Sequence, residues 1–147
     1  MERHIGFDEY FHLIEQLADK IDIDVNYVVG IIRGGYIPAD IISRIKRAKL
    51  LCLRACSYKD KTQGELSIYN MSENIPLSGN VVLVDDLADS GRTLLEVKKY
   101  LSRCHKNANI KTAVIWNKSS NTLAKPDYYV SDVGSEWIVQ PFEKYGD

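Results

Sequence analysis

Short apolar runs alternate along the chain with stretches in which apolar residues return every three or four positions. Phe7, Phe11, Ile14, Leu17 and Ala18 fall at helical spacing and predict an amphipathic first helix. Val25 to Ile32 is short and β-branched, which predicts a buried strand. Ile37, Ile41, Ile42 and Ile45 mark a second helix, with Pro38 acceptable in its first turn. Lys49 to Cys56 predicts the next strand. The segment from Ser57 to Gly79 is polar and aperiodic, although Leu66 to Tyr69 could pair briefly. Val81 to Asp85 predicts a strand, followed by a helix after Gly91 with Leu94, Val97, Leu101 and Cys104 on its apolar side. Ile110 to Trp116 and Asp127 to Val133 complete the strands, with Trp116 expected in the core. Strands separated by helices in this way predict an α/β fold, a three-layer sandwich with a mostly parallel central sheet, in one domain over residues 1–147.

Composition narrows the class of partner. With 19 basic and 20 acidic residues the formal charge is −1, so no global field draws nucleic acid or an anionic membrane. No apolar run approaches the roughly 20 residues of a membrane span, and MERHIGFDEY lacks an apolar signal core, which predicts a soluble, cytoplasmic protein. Three cysteines, Cys52, Cys56 and Cys104, form no C-x-x-C pair, and His4, His12 and His105 are scattered. That spacing predicts reduced thiols and no zinc site.

The informative chemistry lies in VVLVDDLADSGRTLLEV, Val81 to Val97. A buried strand runs into Asp85, Asp86 and Asp89, then into a Ser-Gly-Arg-Thr turn that opens a helix. Such a turn aims backbone N–H groups and the positive end of a helix dipole at one point, and Thr93 adds a hydroxyl, so the turn suits a phosphate. Gly91 lets the backbone approach it closely. Carboxylates suit a diol or a divalent cation. Adjacent on a strand, Asp85 and Asp86 are expected to point to opposite faces. Taken singly, each aspartate fits a turn, and Asp89 fits a helix cap. Three acids together crowd one another, and phosphate on one side with diol or metal on the other describes a sugar phosphate.

VVLVDDLADSGRTL resembles the phosphoribosyl-pyrophosphate signature of the type I phosphoribosyltransferases, with acids, glycine and hydroxyl residue in register. GIIRGGYIPA, Gly30 to Ala39, resembles the pyrophosphate loop of that family. SEWIVQPF, Ser135 to Phe142, is similar to the base-binding segment of the bacterial xanthine-guanine members, and Lys118 matches the lysine of the six-oxopurine enzymes. Together the matches span nearly the whole chain.

The resemblance implies transfer of a phosphoribosyl group from phosphoribosyl pyrophosphate to guanine, hypoxanthine or xanthine, with release of pyrophosphate. It implies that Asp89, Ser90, Gly91, Arg92 and Thr93 cradle the 5′-phosphate and that Asp85 and Asp86 face the ribose hydroxyls. Mg2+ is the implied cofactor, with Asp86 the acid nearer to it. Arg33 and the amides of Gly34 and Gly35 would hold pyrophosphate in a loop that often carries a cis peptide. Asp89 would be catalytic, accepting a proton from the imidazole ring of the base, unless it is only a helix cap. Lys118 would read the exocyclic oxygen, Trp137 would stack on the base and the Ile138 backbone would read its edge. The C-terminal base-binding segment falls near 133–147 and a lid near 57–79. Relatives form dimers and tetramers, so a homodimer or homotetramer is implied.

One place departs from the family. Aligned on Ser57-Tyr58 and Glu65-Leu66, the lid carries Gly64 where an arginine is expected, and Lys59 or Lys61 would have to supply that charge. Two other readings stand beside the first: a transferase for adenine, uracil or orotate, and a non-catalytic sensor of phosphoribosyl pyrophosphate. Lys118 and SEWIVQPF speak against another base; the absence of a basic excess speaks against a nucleic-acid-binding regulator.

Overall fold

The computed structural model describes residues 1–57, 66–70, 75–118, 123 and 125–146. The elements run β1 (Glu2–His4), α1 (Phe7–Lys20), β2 (Tyr27–Ile32), α2 (Tyr36–Lys46), β3 (Lys49–Ser57) and β4 (Leu66–Asn70). They continue with β5 (Gly79–Ala88), α3 (Arg92–Cys104), β6 (Ala108–Lys118), β7 (Tyr128–Val133), β8 (Trp137–Val139) and a 3₁₀ helix, Pro141–Tyr145. The main sheet has six strands in the order β4-β3-β2-β5-β6-β7, parallel throughout except for β4, which runs antiparallel to β3. Leu66 to Tyr69 therefore does pair, opposite Ser57 to Arg54. No helix among the described residues is long and apolar enough to cross a membrane.

Strand periodicity builds the three layers. On β5, Val82 and Val84 face the core shared with α1 and α2, while Val81 and Leu83 face the core under α3. On β6, Ala113 and Ile115 follow the first pattern and Ile110 and Val114 the second. Burying each aliphatic side chain stabilises by about 1.5–3 kcal/mol. The central strands β2, β5 and β6, covered on both faces, therefore hold the sheet most firmly.

Four expected positions shift. The buried stripe of α1 runs through Tyr10, Leu13, Ile14, Leu17 and Ala18, while Phe11 is 40% exposed and stacks on Phe7 at its margin. Tyr10 displaces Phe11 from the centre because its ring packs edge-on against Phe142, 5.7 Å between centroids. Ile45 and Cys104, expected on apolar faces, are exposed: each lies near a helix C-terminus, past the sheet. The largest shift is in β5, which does not stop at Asp85 but stays paired with β6 as far as Ala88 opposite Asn117. The three aspartates thus straddle the end of a strand that is locked in register.

Strand β1 and the separation of β8 from the main sheet have no counterpart in the predicted elements. The two strands pair in parallel, Glu2 opposite Trp137 and His4 opposite Val139, as a small second sheet.

Candidate active site

Two cavities lie at the carboxyl ends of the parallel strands, where open α/β sheets bind ligands. The smaller, about 100 Å3, is bounded by Asp85 and by residues Leu87 through Leu94. Its floor is the turn into α3. Gly91 sits at the cap position with φ 85°, a left-handed conformation that glycine adopts without strain, and the Ser90 hydroxyl accepts from the Arg92 N–H at 3.3 Å. Thr93 and Leu94, in the first turn of α3, line the cavity at the positive end of the helix dipole. A cradle of this size and chemistry suits one tetrahedral anion.

Asp89 is not the cap. Gly91 holds that position, and the Asp89 carboxylate instead lies 3.8 Å from Lys118 Nζ. Lys118 is the last residue of β6, two positions beyond the expected strand end, and its ammonium also sits 5.4 Å from the centre of the Trp137 ring. Trp137 is 59% exposed, whereas Trp116 is wholly buried in the core. A half-exposed indole beside a cation and a carboxylate is a stacking platform for a flat polar ring. The contacts bring Asp89, Lys118 and Trp137 together from three separate elements.

The larger cavity, about 650 Å3, is lined by Arg33, Gly34, Asp86 and Leu87 on one side and by residues of the segment Trp137 to Gly146 on the other. The Ile32–Arg33 peptide bond is cis. Gly34 lies so close to Asp86 that a β-carbon there would meet the carboxylate at 2.5–2.7 Å. Gly35 departs from expectation. Its N–H donates to the Ile31 carbonyl at 2.8 Å, which starts the turn into α2, so its amide is already spent on the fold. Gly34 and Arg33, not Gly35, are the members of the loop that border the cavity.

The pairing with β1 decides which way the Ile138 backbone faces. In the parallel pairing, the Trp137 N–H donates to Met1 O at 2.9 Å and Val139 O accepts from the Ile5 N–H at 3.0 Å. Alternate residues of a strand turn their amides to opposite sides. The N–H and C=O of Ile138 therefore face away from β1, toward the cavity that Ile138 lines. Its side chain is buried in the core.

Asp85 and Asp86 do address different cavities, as the pleat requires: Asp85 the small one, Asp86 the large one. The two carboxyl groups nonetheless act on each other, which the alternation alone does not predict. Asp85 also accepts from the Asp86 N–H at 2.8 Å. Burial first, and then the Asp86 charge, push the Asp85 carboxyl well above the usual aspartate range; burial raises Asp86 as well. The folded chain therefore keeps protons that the unfolded chain releases, and stability falls as pH climbs from the ordinary aspartate range through the raised one. Without a cation present, Asp85→Asn should raise the thermal midpoint at neutral pH, since the amide oxygen keeps the bond from Asp86 N–H. A lowered midpoint in a thermal scan would show the charge to be compensated.

Among the described residues, no three His, Cys, Asp or Glu side chains converge as a closed metal cage. Two close carboxylates beside an anion cradle fit a hard cation that keeps water and substrate oxygens among its ligands, as Mg2+ does. Lys59, Lys61 and Gly64, and most of the predicted lid, lie outside the described residues. Leu87, Phe142, Glu143 and Tyr145, all lining the larger cavity, lie within the quoted motifs or the predicted 133–147 segment but had no individual role there.

Residues 3–145 match the family model of the phosphoribosyl transferase domain. The chain is 29% identical to the xanthine-guanine phosphoribosyltransferase of Cereibacter sphaeroides, over 95% of its own length and 86% of that protein's. Among solved structures it is similar to a purine phosphoribosyltransferase from Pyrococcus horikoshii, with a TM-score of 0.81 and 27% identity over 96% of this chain and 93% of that one. The xanthine-guanine-hypoxanthine phosphoribosyltransferase of Helicobacter pylori shares the fold, with a TM-score of 0.86 at 23% identity over 97% and 94% of the two chains.

Proposed function

The chain belongs to the phosphoribosyltransferase family, and on that premise we propose that it transfers the phosphoribosyl group of phosphoribosyl pyrophosphate to a 6-oxopurine base in purine salvage. The observation that carries the choice of base is Lys118, held between the Asp89 carboxylate and the Trp137 ring. An ammonium only donates, so it selects an exocyclic oxygen and rejects the amino group of adenine.

The other roles follow from position. The turn from Asp89 to Thr93 receives the 5′-phosphate, and Asp85 and Asp86 take the ribose hydroxyls, with Asp86 nearer the metal. Arg33 and Gly34 face the departing pyrophosphate, while Gly35 shapes their loop. Trp137 stacks on the base, and the outward amide of Ile138 fixes its edge. Asp89 accepts the proton that the imidazole ring loses as its nitrogen bonds to the sugar carbon, which keeps charge from building on the base. When bound, Mg2+ supplies Lewis-acid charge neutralisation of the pyrophosphate. A cytoplasmic setting fits three cysteines outside any disulfide, and exposed Tyr36 and Ile45, on opposite flanks of α2, add apolar surface for a homodimer or homotetramer.

Initial rates with phosphoribosyl pyrophosphate, Mg2+ and six bases test the reading. Turnover is expected with guanine, hypoxanthine or xanthine and not with adenine, uracil or orotate. If no base turns over, the chain is a sensor of the sugar pyrophosphate. Lys118→Ala should raise the KM for the base about tenfold or more, and that for phosphoribosyl pyrophosphate far less. Equal damage to both would show that Lys118 does not read the base.

A further inference from the structure

Base choice depends on where Lys118 Nζ stands, and neither of its two contacts is strong enough to put it there. The Lys118 side chain is only 17% exposed, yet Asp89, at 3.8 Å, lies beyond hydrogen-bond reach and is itself largely in solvent. The centre of the Trp137 ring is 5.4 Å away, and that ring is half-exposed. A solvated ion pair and a cation over an open ring hold a side chain weakly.

We propose that Asp132 is a positioning residue for base recognition: through its hydrogen bond with buried Asn117 it fastens the end of β6, and with it Lys118, at the base site. The inference rests on the reading of Lys118 given above and extends it to a residue outside the sequence motifs.

Asn117 and Asp132 face each other near the last rungs of the sheet. Asn117 is paired with Ala88 of β5 on one side and with Asp132 of β7 on the other. Across the second pairing, Asn117 Nδ2 donates to Asp132 Oδ1 at 2.9 Å. Asn117 is 5% exposed, so the bond satisfies a donor that water reaches poorly, and an ionised acceptor makes it about twice as strong as a neutral one.

One residue further out, β6 has lost β5. The pairing with β5 ends at Asn117, whereas the pairing with β7 reaches Lys118, opposite Val133. Strand β7 is itself the outermost strand of the sheet. Lys118 therefore takes its backbone position from an edge strand, and the side-chain bond one rung below fastens that edge. Asp89 has its own anchor. Ala88, just before it, is buried in the core under α3, and the chain runs on into that helix.

Steady-state kinetics with a base that turns over in the panel above are the test. Asp132→Ala should raise the KM for the base about tenfold and leave that for phosphoribosyl pyrophosphate within about twofold. Asp132→Asn, whose amide oxygen still accepts from Asn117, should restore the wild-type KM. The effect should also run through the lysine: with Lys118→Ala already in place, Asp132→Ala should raise the base KM no further. Should Asp132→Ala fail to fold, Asp132→Ser, whose hydroxyl is one atom too short for the Asn117 amide, supports the same comparisons. An unchanged base KM, an equal rise for both substrates, an asparagine variant as impaired as alanine, or an added rise in the double variant overturns the role of Asp132. Each of these leaves the transferase reading intact. Failure of the wild type with every base overturns that reading, and this inference with it.

Discussion

Asp89→Ala should lower kcat by about 10²–10⁴-fold with no comparable loss of stability, the range expected when a positioned general base is removed. The two effects separate because of where Asp89 stands. It lies just past the end of β5, its carboxylate is 69% exposed, and Gly91, not Asp89, occupies the cap position of α3. Its recorded partner is Lys118 at 3.8 Å, and a pair that exposed contributes at most about 1 kcal/mol to folding. Thermal midpoint and steady-state rate, measured on the same preparation, decide the matter. A variant with near-normal kcat would remove Asp89 from the chemistry. One that unfolds at a much lower temperature would make it a structural residue.

Gly35→Ala should fail in the opposite way, through the fold. A β-carbon at this position would run into the Val84 carbonyl, lie 2.6 Å from the Ile31 carbonyl and come within 3.0 Å of Asp85 Cα. All three are backbone atoms of the central strands β2 and β5, which cannot rotate aside. Overpacking of this kind costs about 1–3 kcal/mol or more. In a chain of this size, that lowers the thermal midpoint by several degrees, and relief of the clash moves the strand end that carries Asp85 and Asp86. Gly34→Ala makes the instructive contrast, since the atoms its β-carbon would meet first are those of the Asp86 carboxylate, a side chain that can rotate. It should disturb Mg2+-dependent turnover more than stability. If Gly35→Ala melts with the wild type and turns over normally, the packing at this corner is looser than the distances say.

How much the sequence disclosed depended on element length. The central strands and all three helices show in hydrophobic period, because burial between two layers selects long apolar runs or a wide stripe. The same signal misplaced Phe11, since spacing shows that a stripe exists but not which edge of it an aromatic neighbour claims. The acids, glycine and hydroxyls at the turn into α3 stood out because each has a distinct chemical reason to be there. The walls of the base pocket did so only in part. Strands β1 and β8 have three residues each, too few for any period, and what Ile138 contributes is its backbone, which its side chain does not advertise. Glu143 looks like any surface glutamate until the 3₁₀ helix brings it to the cavity. Whether Gly35 lends its N–H to a ligand or to Ile31 is likewise decided by the turn and not by residue type.

The pairing of residue 2 with residue 137 has a kinetic meaning. The strands of the main sheet and the turn into α3 meet neighbours much nearer in sequence, and the phosphate cradle is a single local turn. Closing a loop as long as the whole domain is the slowest kind of contact for a chain to make, and three residues on each side return little for it. The domain should therefore acquire its grip on the sugar phosphate early in folding and its choice of base late. The seam between β1 and β8 is correspondingly where the native state should open first. Discrimination between bases would then fade under mild destabilisation while the sugar-phosphate site still holds.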